Sequence, residues 1–245
     1  MHKKKIVFIS GSSSGIGFHL AKFFKEQNYN IIINGRDSKK LKIASRKLGN
    51  CNYIAGDLTK EENITQITKT LKKKYNYIDL LICNQGNSDF KKNNLDFKFA
   101  FDNNFFSAIN LIISSKKILR RNSSKIICMS SICGLEAISG APLGYSVAKS
   151  ALNFYIKNFS YQLAEKGISI NGIVPGNIYF EGSTWHKKMI KNSKKTKRYI
   201  KENVPINKFG NIRDIFAICK TISDDTSNYI TGSLFKIDGG QTKSL

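Results

Sequence analysis

Ile6-Val7-Phe8-Ile9 is a short, continuous apolar run, and it feeds directly into Ser10-Gly11-Ser12-Ser13-Ser14-Gly15-Ile16-Gly17. An unbroken apolar run of this length suits a strand buried on both faces. Behind the glycines a helical pattern begins, with Leu20, Ala21, Phe23 and Phe24 on its apolar face. Strand, glycine-rich turn and helix in that order constrain the chain more than any other stretch. Glycines let the backbone approach a ligand, and a helix N-terminus offers free N–H groups and the positive end of a dipole. The spacing is G-x-x-x-G-x-G, not the commoner G-x-G-x-x-G. A structural loop can carry the same glycines. The flanking strand and helix favour a phosphate cradle built from Gly11, Ser13, Ser14, Gly15, Ile16 and Gly17.

The same alternation continues along the chain. Strands are expected at Ile31–Ile33, Asn52–Ala55, Ile78–Cys83, Lys125–Met129 and Ile168–Val174, and a last one from Tyr229–Gly232 with Leu234–Ile237. Helical stretches separate them, the longest at Leu95–Leu119 and from Tyr145 to about Glu165, with a final helix at Ile212–Ile222. Such alternation predicts right-handed βαβ units. The fold class is therefore α/β: a doubly wound, Rossmann-type parallel sheet of about seven strands with helices on both faces. No repeat or linker divides residues 1–245, which read as one domain. Residues 180–208 break the rhythm with a dense basic run from Lys187 to Lys201 and the only tryptophan, Trp185. They follow a strand end, where a substrate lid sits; a solvated pair of surface helices is the competing reading.

Ligands in such sheets lie beyond the carboxyl ends of the strands, and the conspicuous residues fall there. Arg36 stands nineteen positions after Gly17. Its guanidinium suits a ribose 2′-phosphate and so favours NADP(H) over NAD(H); Asp37 would reverse that choice if the strand ran one residue further. Asp57, followed by Leu58, either accepts from an adenine amino group or caps the next helix. Asn84-Gln85-Gly86 closes the fourth strand, and Pro175-Gly176 follows the sixth.

Chemistry enters at Tyr145-Ser146-Val147-Ala148-Lys149, with Ser131 fourteen residues upstream of the tyrosine. On a helix, positions i and i+4 share a face. A phenol has a pKa of about 10, and a neighbouring ammonium favours its ionised form. A serine hydroxyl can hold a carbonyl oxygen while the phenol delivers a proton. That is half of a carbonyl reduction; the hydride must come from a cofactor.

The formal net charge is +23, from 40 Lys+Arg against 17 Asp+Glu. Nucleic-acid binding is the obvious reading of such a value. Lysine supplies 34 of the 40 basic residues, and they are scattered, alongside frequent Asn and Ile. That pattern points to a compositional bias in the gene, so no nucleic-acid partner is expected. No apolar run approaches the roughly 20 residues of a membrane span, and no signal-peptide core follows Met1-His2-Lys3. A cytosolic protein is expected. Cys51, Cys83, Cys128, Cys133 and Cys219 show no metal-ligand spacing and read as reduced thiols, with no metal site.

Taken together, these motifs resemble the short-chain dehydrogenase/reductase family, in its 3-oxoacyl-carrier-protein-reductase-like branch. The resemblance spans almost the whole chain: the glycine turn (with Ser10 for the usual Thr), Asp57, Asn84-x-Gly86, Ser131, Tyr145 with Lys149, Pro175-Gly176, and Thr231-Gly232 with Asp238-Gly239-Gly240. It implies Tyr145 as proton donor, Lys149 as holder of the nicotinamide ribose and depressor of the Tyr145 pKa, and Ser131 as positioner of the substrate oxygen. Asn104 is similar to the family's relay asparagine, with Asn103 as the register alternative. The resemblance also implies cofactor contacts at Asn84, Gly86, Pro175, Gly176 and Ile178, and a homodimer or homotetramer. Phe180 departs from the pattern, standing where the family commonly has a nicotinamide-binding Thr; Ser183 or Thr184 would replace it if the loop shifts. The usual basic residue among the glycines is also missing, which leaves Arg36 to carry the NADP preference. The implied activity is hydride transfer between NADP(H) and a carbonyl or secondary alcohol. A 3-oxoacyl thioester on a carrier protein or coenzyme A is the first substrate reading, and a sugar or polyketide-like ketone the second. A non-catalytic NADP-binding regulator is the alternative of a different class.

Overall fold

The computed structural model describes residues 4–87 and 96–244. Seven parallel strands form one sheet in the order β3-β2-β1-β4-β5-β6-β7. They are β1 Ile6–Ile9, β2 Asn30–Gly35, β3 Asn52–Ala55, β4 Leu80–Cys83, β5 Lys125–Met129, β6 Ser169–Pro175 and β7 Leu234–Ile237. Alternate residues of β1 feed opposite faces. Ile6 and Phe8 join the apolar layer beneath α3 (Glu61–Tyr75), α5 (Ser107–Ser115) and α6 (Leu143–Ala164). Val7 and Ile9 join the layer beneath α1 (Gly15–Glu26), α2 (Ser38–Lys47) and α9 (Ile212–Asp224). Both faces being covered explains why the strands read as unbroken apolar runs. Each fully buried Ile or Phe contributes about 1.5–3 kcal/mol, and Phe8, Ile9, Ile32 and Ile33 are all wholly buried.

The chain reverses direction across the sheet between β1 and β4, which pair with Val7 opposite Leu80. This switch point opens a crevice at the carboxyl ends of the strands. Three expectations need correction. The long helix before β5 is not continuous: α4 (Phe97–Phe101) passes through a π-turn (Asp102–Phe106) into α5, which ends at Ser115. Its expected start, Leu95, lies outside the described residues. The fourth strand begins at Leu80, and Ile78 instead forms an isolated bridge with Leu119. Tyr229–Gly232 is not strand; its polar groups cap β6, with Asn171 Nδ2 donating to the Ile230 carbonyl at 2.7 Å. The insert forms α7 (Thr184–Lys191) and α8 (Ser193–Asn203).

All six non-glycine residues with left-handed backbone among the described residues are asparagines, including Asn28 (φ 65) after α1 and Asn76 (φ 66) after α3. Asparagine tolerates this region better than other non-glycine residues. The asparagine-rich composition thus supplies helix stops that glycine often provides.

Candidate active site

Two cavities meet at the carboxyl ends of the strands. The first is a groove of about 410 Å³ over β1, β2, β3 and β4. Gly11, Ser13, Ser14, Gly15 and Ile16 line one wall; Arg36, Asp57, Leu58, Asn84 and Gly86 complete it. The turn is held from below by short polar side chains. Ser12 Oγ donates to the Ile9 carbonyl at 2.5 Å and accepts from the Asn34 N–H at 3.0 Å. Asn84 Nδ2 donates to the carbonyls of Ser10 (3.2 Å) and Gly11 (2.9 Å), and Ser10 Oγ accepts from the Asn84 N–H at 3.0 Å. Gly17 does not line the groove. It allows α1 to sit against the turn, since a Cβ there would lie 2.5 Å from Asn84 Nδ2 and 2.6 Å from the Gly11 carbonyl.

This groove suits a dinucleotide. Ser14 makes no side-chain cap to α1, so the first-turn N–H groups have no side-chain partner. Gly15 has φ +64 and open space before its Cα. Arg36 is exposed, lines the groove and forms no ion pair among the described residues. Asp37 does not line it. Its carboxylate caps α2, accepting from Lys39 N–H (2.9 Å) and Lys40 N–H (3.1 Å), and those bonds hold its pKa below the usual range. Asp57 is likewise part-committed, accepting from Thr59 N–H and Oγ1 at 3.0 and 2.9 Å, and α3 starts beyond it without a side-chain cap.

The second cavity, about 470 Å³, contains Ser131, Tyr145, Pro175, Gly176 and Ile178. Ile16 and Phe180 line both cavities and mark their junction. Ser131 lies two residues beyond β5 and caps a short 3-10 turn, accepting from the Cys133 N–H at 3.2 Å. Tyr145 lies in the first turn of α6 and shares the second cavity with Ser131. Burial pushes the Tyr145 phenol up to about 12, and the neighbouring Ser131 hydroxyl opposes that rise. Lys149, one turn on, is almost wholly buried, with Nζ 5.8 Å from the Tyr145 ring centre. It donates to the Met129 carbonyl at 2.7 Å. Burial brings the Lys149 ammonium down to about 8, against the opposing pull of the Cys128, Cys133 and Cys83 thiols. In the protein alone burial governs the Tyr145 phenol, and the lowering influence on it comes from Ser131.

Lys149 and Asn104 line neither cavity; they support them from behind. A Cβ on Gly86 would fall 3.0 Å from Asn104 Oδ1 and 3.5 Å from Lys149 Nζ. Asn104 Oδ1 accepts from the Asn87 N–H at 2.9 Å, and its Nδ2 donates to the carbonyls of Asn87 (2.9 Å) and Ala100 (3.0 Å). Asn103 instead donates to the Phe99 carbonyl and lines the groove. The register favours Asn104 as the residue beside Lys149, and it sits in the π-turn. Such turns recur at functional sites.

Phe180 occupies the junction with its ring 5.4 Å from His19. Ser183 and Thr184 both line the second cavity, and the Ser183 hydroxyl also caps α7, accepting from the His186 N–H at 3.0 Å. Sequence reasoning missed Asn153, which accepts from Ser130 Oγ at 2.5 Å and donates to the Gly134 carbonyl at 3.1 Å, bracing the Ser131 loop. Its only sequence signal is its place one turn after Lys149 on α6. Also missed were Tyr199 and Lys188, which reach the second cavity from the insert.

Residues 11–242 match the protein family described as "Enoyl-(Acyl carrier protein) reductase". The chain belongs to the short-chain dehydrogenase/reductase family and is an oxidoreductase. It is 30% identical to a 3-oxoacyl-(acyl-carrier-protein) reductase of Rickettsia felis, over 96% of each chain. Among solved structures it is similar to L-sorbose reductase of Gluconobacter frateurii complexed with NADPH and L-sorbose: TM-score 0.86, 23% identity, covering 99% of this chain and 98% of that one. It is also similar to the structure described as "ElxO with NADP Bound", with TM-score 0.86, 27% identity, and coverage of 98% and 99%.

Proposed function

We propose that this chain is an NADP(H)-dependent carbonyl reductase, with Ser131, Tyr145, Lys149 and Asn104 as its catalytic set. The observation that carries this reading is the placement of Tyr145 and Ser131 together in a cavity joined to a dinucleotide-shaped groove. Bound NADPH supplies a hydride to the carbonyl carbon. The chain's own residues handle the oxygen. Ser131 Oγ donates a hydrogen bond to it, and the Tyr145 hydroxyl transfers its proton as the C=O π bond opens. A phenol near 12 is a weak acid, so the charge left on Tyr145 must be stabilised, and the Lys149 ammonium is the nearby cation. Asn104 fixes the Asn87 segment and, through it, the wall beside Lys149.

Arg36 supports NADP(H) over NAD(H): it faces the groove while Asp37 is committed to its helix cap. The relatives described with NADPH or NADP are consistent with this. The other groove-lining contacts named above are read as cofactor-binding on the same grounds, Pro175, Gly176 and Ile178 as contacts on the nicotinamide side from the second cavity, and Gly17 as the residue that packs the turn against α1. A 3-oxoacyl thioester is the first substrate reading, in line with the Rickettsia relative, and the basic α7–α8 insert is read as a lid able to receive an acidic carrier protein. A sugar ketone is the second, favoured by the likeness to a sorbose reductase. No helix among the described residues is long and apolar enough to cross a membrane, and a single cytosolic domain is the reading adopted here. Val147, Phe154 and Tyr161 are exposed at seven-residue spacing on α6, and Phe106 in the π-turn and Ile113 on α5 are exposed as well. Such stripes mark interaction faces, which supports pairing of the chain into a homodimer or homotetramer.

The test is loss of NADPH absorbance with acetoacetyl-coenzyme A, beside NADH and a keto-sugar. Tyr145→Phe should lower the rate by about 10²–10⁴-fold and leave NADPH binding near normal. Unchanged turnover in that variant would overturn the mechanism. Tight NADPH binding with no turnover of any ketone would favour a non-catalytic regulator.

A further inference from the structure

The lid contributes one charge to the substrate cavity. Lys188 is the only charged side chain among the cavity's described lining residues. It forms no ion pair among the described residues, and its Nζ lies 4.3 Å from the Trp185 ring centre. A cation held over an indole face is oriented by the ring's quadrupole. Its backbone is fixed as well: the Lys188 carbonyl accepts from Thr196 Oγ1 at 3.0 Å, at the corner between α7 and α8. Lys188 is exposed at the rim and shares the cavity lining with Cys133, whose thiol it helps to draw downward against the larger effect of burial. Cys133 lies two residues from Ser131. The indole is itself anchored by a neutral neighbour, with the Tyr199 ring tilted against it at 5.1 Å and the Tyr199 hydroxyl accepting from Gln241 at 3.2 Å. A lysine in an ordinary solvated face is neither stacked on a cavity wall nor directed at a catalytic loop.

We propose that Lys188 is a specificity residue, and that the substrate is a ketone whose chain carries an anionic group bound by Lys188 beside Trp185. This rests on the carbonyl-reductase reading and narrows it to oxo compounds bearing a carboxylate or a phosphate.

Trp185 is the chain's only tryptophan, so its fluorescence reports this site directly and without turnover. With NADP⁺ present, the protein is titrated with two pairs: 4-oxopentanoate against its methyl ester, and acetoacetyl-coenzyme A against acetoacetyl-N-acetylcysteamine. The expected result is tighter binding of the anionic member of at least one pair. Preference in the first pair assigns a carboxylate, and preference in the second a phosphate. Lys188→Gln should shrink the ester-to-anion ratio of dissociation constants by about fivefold, the upper range for a pair at a water-exposed rim, whereas Lys187→Gln, outside the cavity, should leave it. Equal binding of both members in both pairs, or a preference that survives Lys188→Gln, overturns the proposal. Discrimination by fluorescence with no NADPH consumption by any ketone would instead count against the carbonyl-reductase reading and leave the Lys188 site standing.

Discussion

The two cavities are similar in size, about 410 and 470 Å³, and differ in how they are built. The cofactor groove is made of backbone, glycines and short polar side chains drawn from strand ends, cross-braced by Ser10, Ser12 and Asn84. The substrate cavity is roofed by aromatic rings and one lysine from α7 and α8, the helices inserted after β6. A site built from backbone tolerates little change, because its shape is the fold. A site roofed by side chains can change ligand without changing fold.

The largest expected effect breaks the first region. Gly17→Ala places a methyl within 2.6 Å of both Asn84 Nδ2 and the Gly11 carbonyl. Overpacking of this kind costs about 1–3 kcal/mol, and the turn must shift to relieve it. Loss of measurable NADPH binding by calorimetry, in a protein that still melts cooperatively, is the expected outcome; retained affinity would mean the turn's shape does not matter.

A smaller effect is expected at the far end of the same groove. Arg36→Ala should weaken NADPH binding by about 10–100-fold, the range for a lost charge-assisted hydrogen bond of roughly 1.5–3 kcal/mol, with NADH affinity nearly unchanged. An equal fall in both affinities would show that Arg36 does not read the 2′-phosphate.

The smallest effect sharpens the boundary between the two regions. Lys149 titrates near 8 in the protein alone, lowered from the usual lysine value by burial. Its ammonium is therefore present below about 8 and lost as pH rises through that value, while the Tyr145 phenol stays protonated up to about 12. For carbonyl reduction, kcat/KM for NADPH, which reports groups of the free enzyme, should be flat below pH 8 and then decline by up to about tenfold per unit. A flat profile from pH 7 to 10 would mean that the Lys149 charge is not required. The same shift has a stability consequence. The unfolded chain binds the Lys149 proton more tightly than the folded one, so stability should rise between pH 8 and the unfolded lysine value.

How much was legible differs between the regions. Ser13, Ser14, Arg36 and Asp57 could be located from spacing because a strand end and a helix start fix the backbone between them within a few residues. Tyr145 and Lys149 were legible for the same local reason, one helical turn. The choice between Arg36 and Asp37 was legible as a preference for Arg36, with the exception resting on where β2 ends and whether Asp37 caps α2. The choice between Asn103 and Asn104 stayed open, because the π-turn adds a residue to the helical register. Asn153, Tyr199 and Lys188 carried no motif, since their roles come from contacts with segments distant in sequence.

The sequence by itself determined the alternating α/β order, the buried parallel strands, the glycine turn and the tyrosine–lysine pair, all set by interactions within a few residues. Only the tertiary structure decided that the phenol is raised and the lysine lowered, that Asn104 and Lys149 both stand behind Gly86, and that Phe180 and Lys188 line the substrate cavity. Burial, dielectric surroundings and cavity shape are sums over neighbours from the whole chain, and a linear pattern does not contain them.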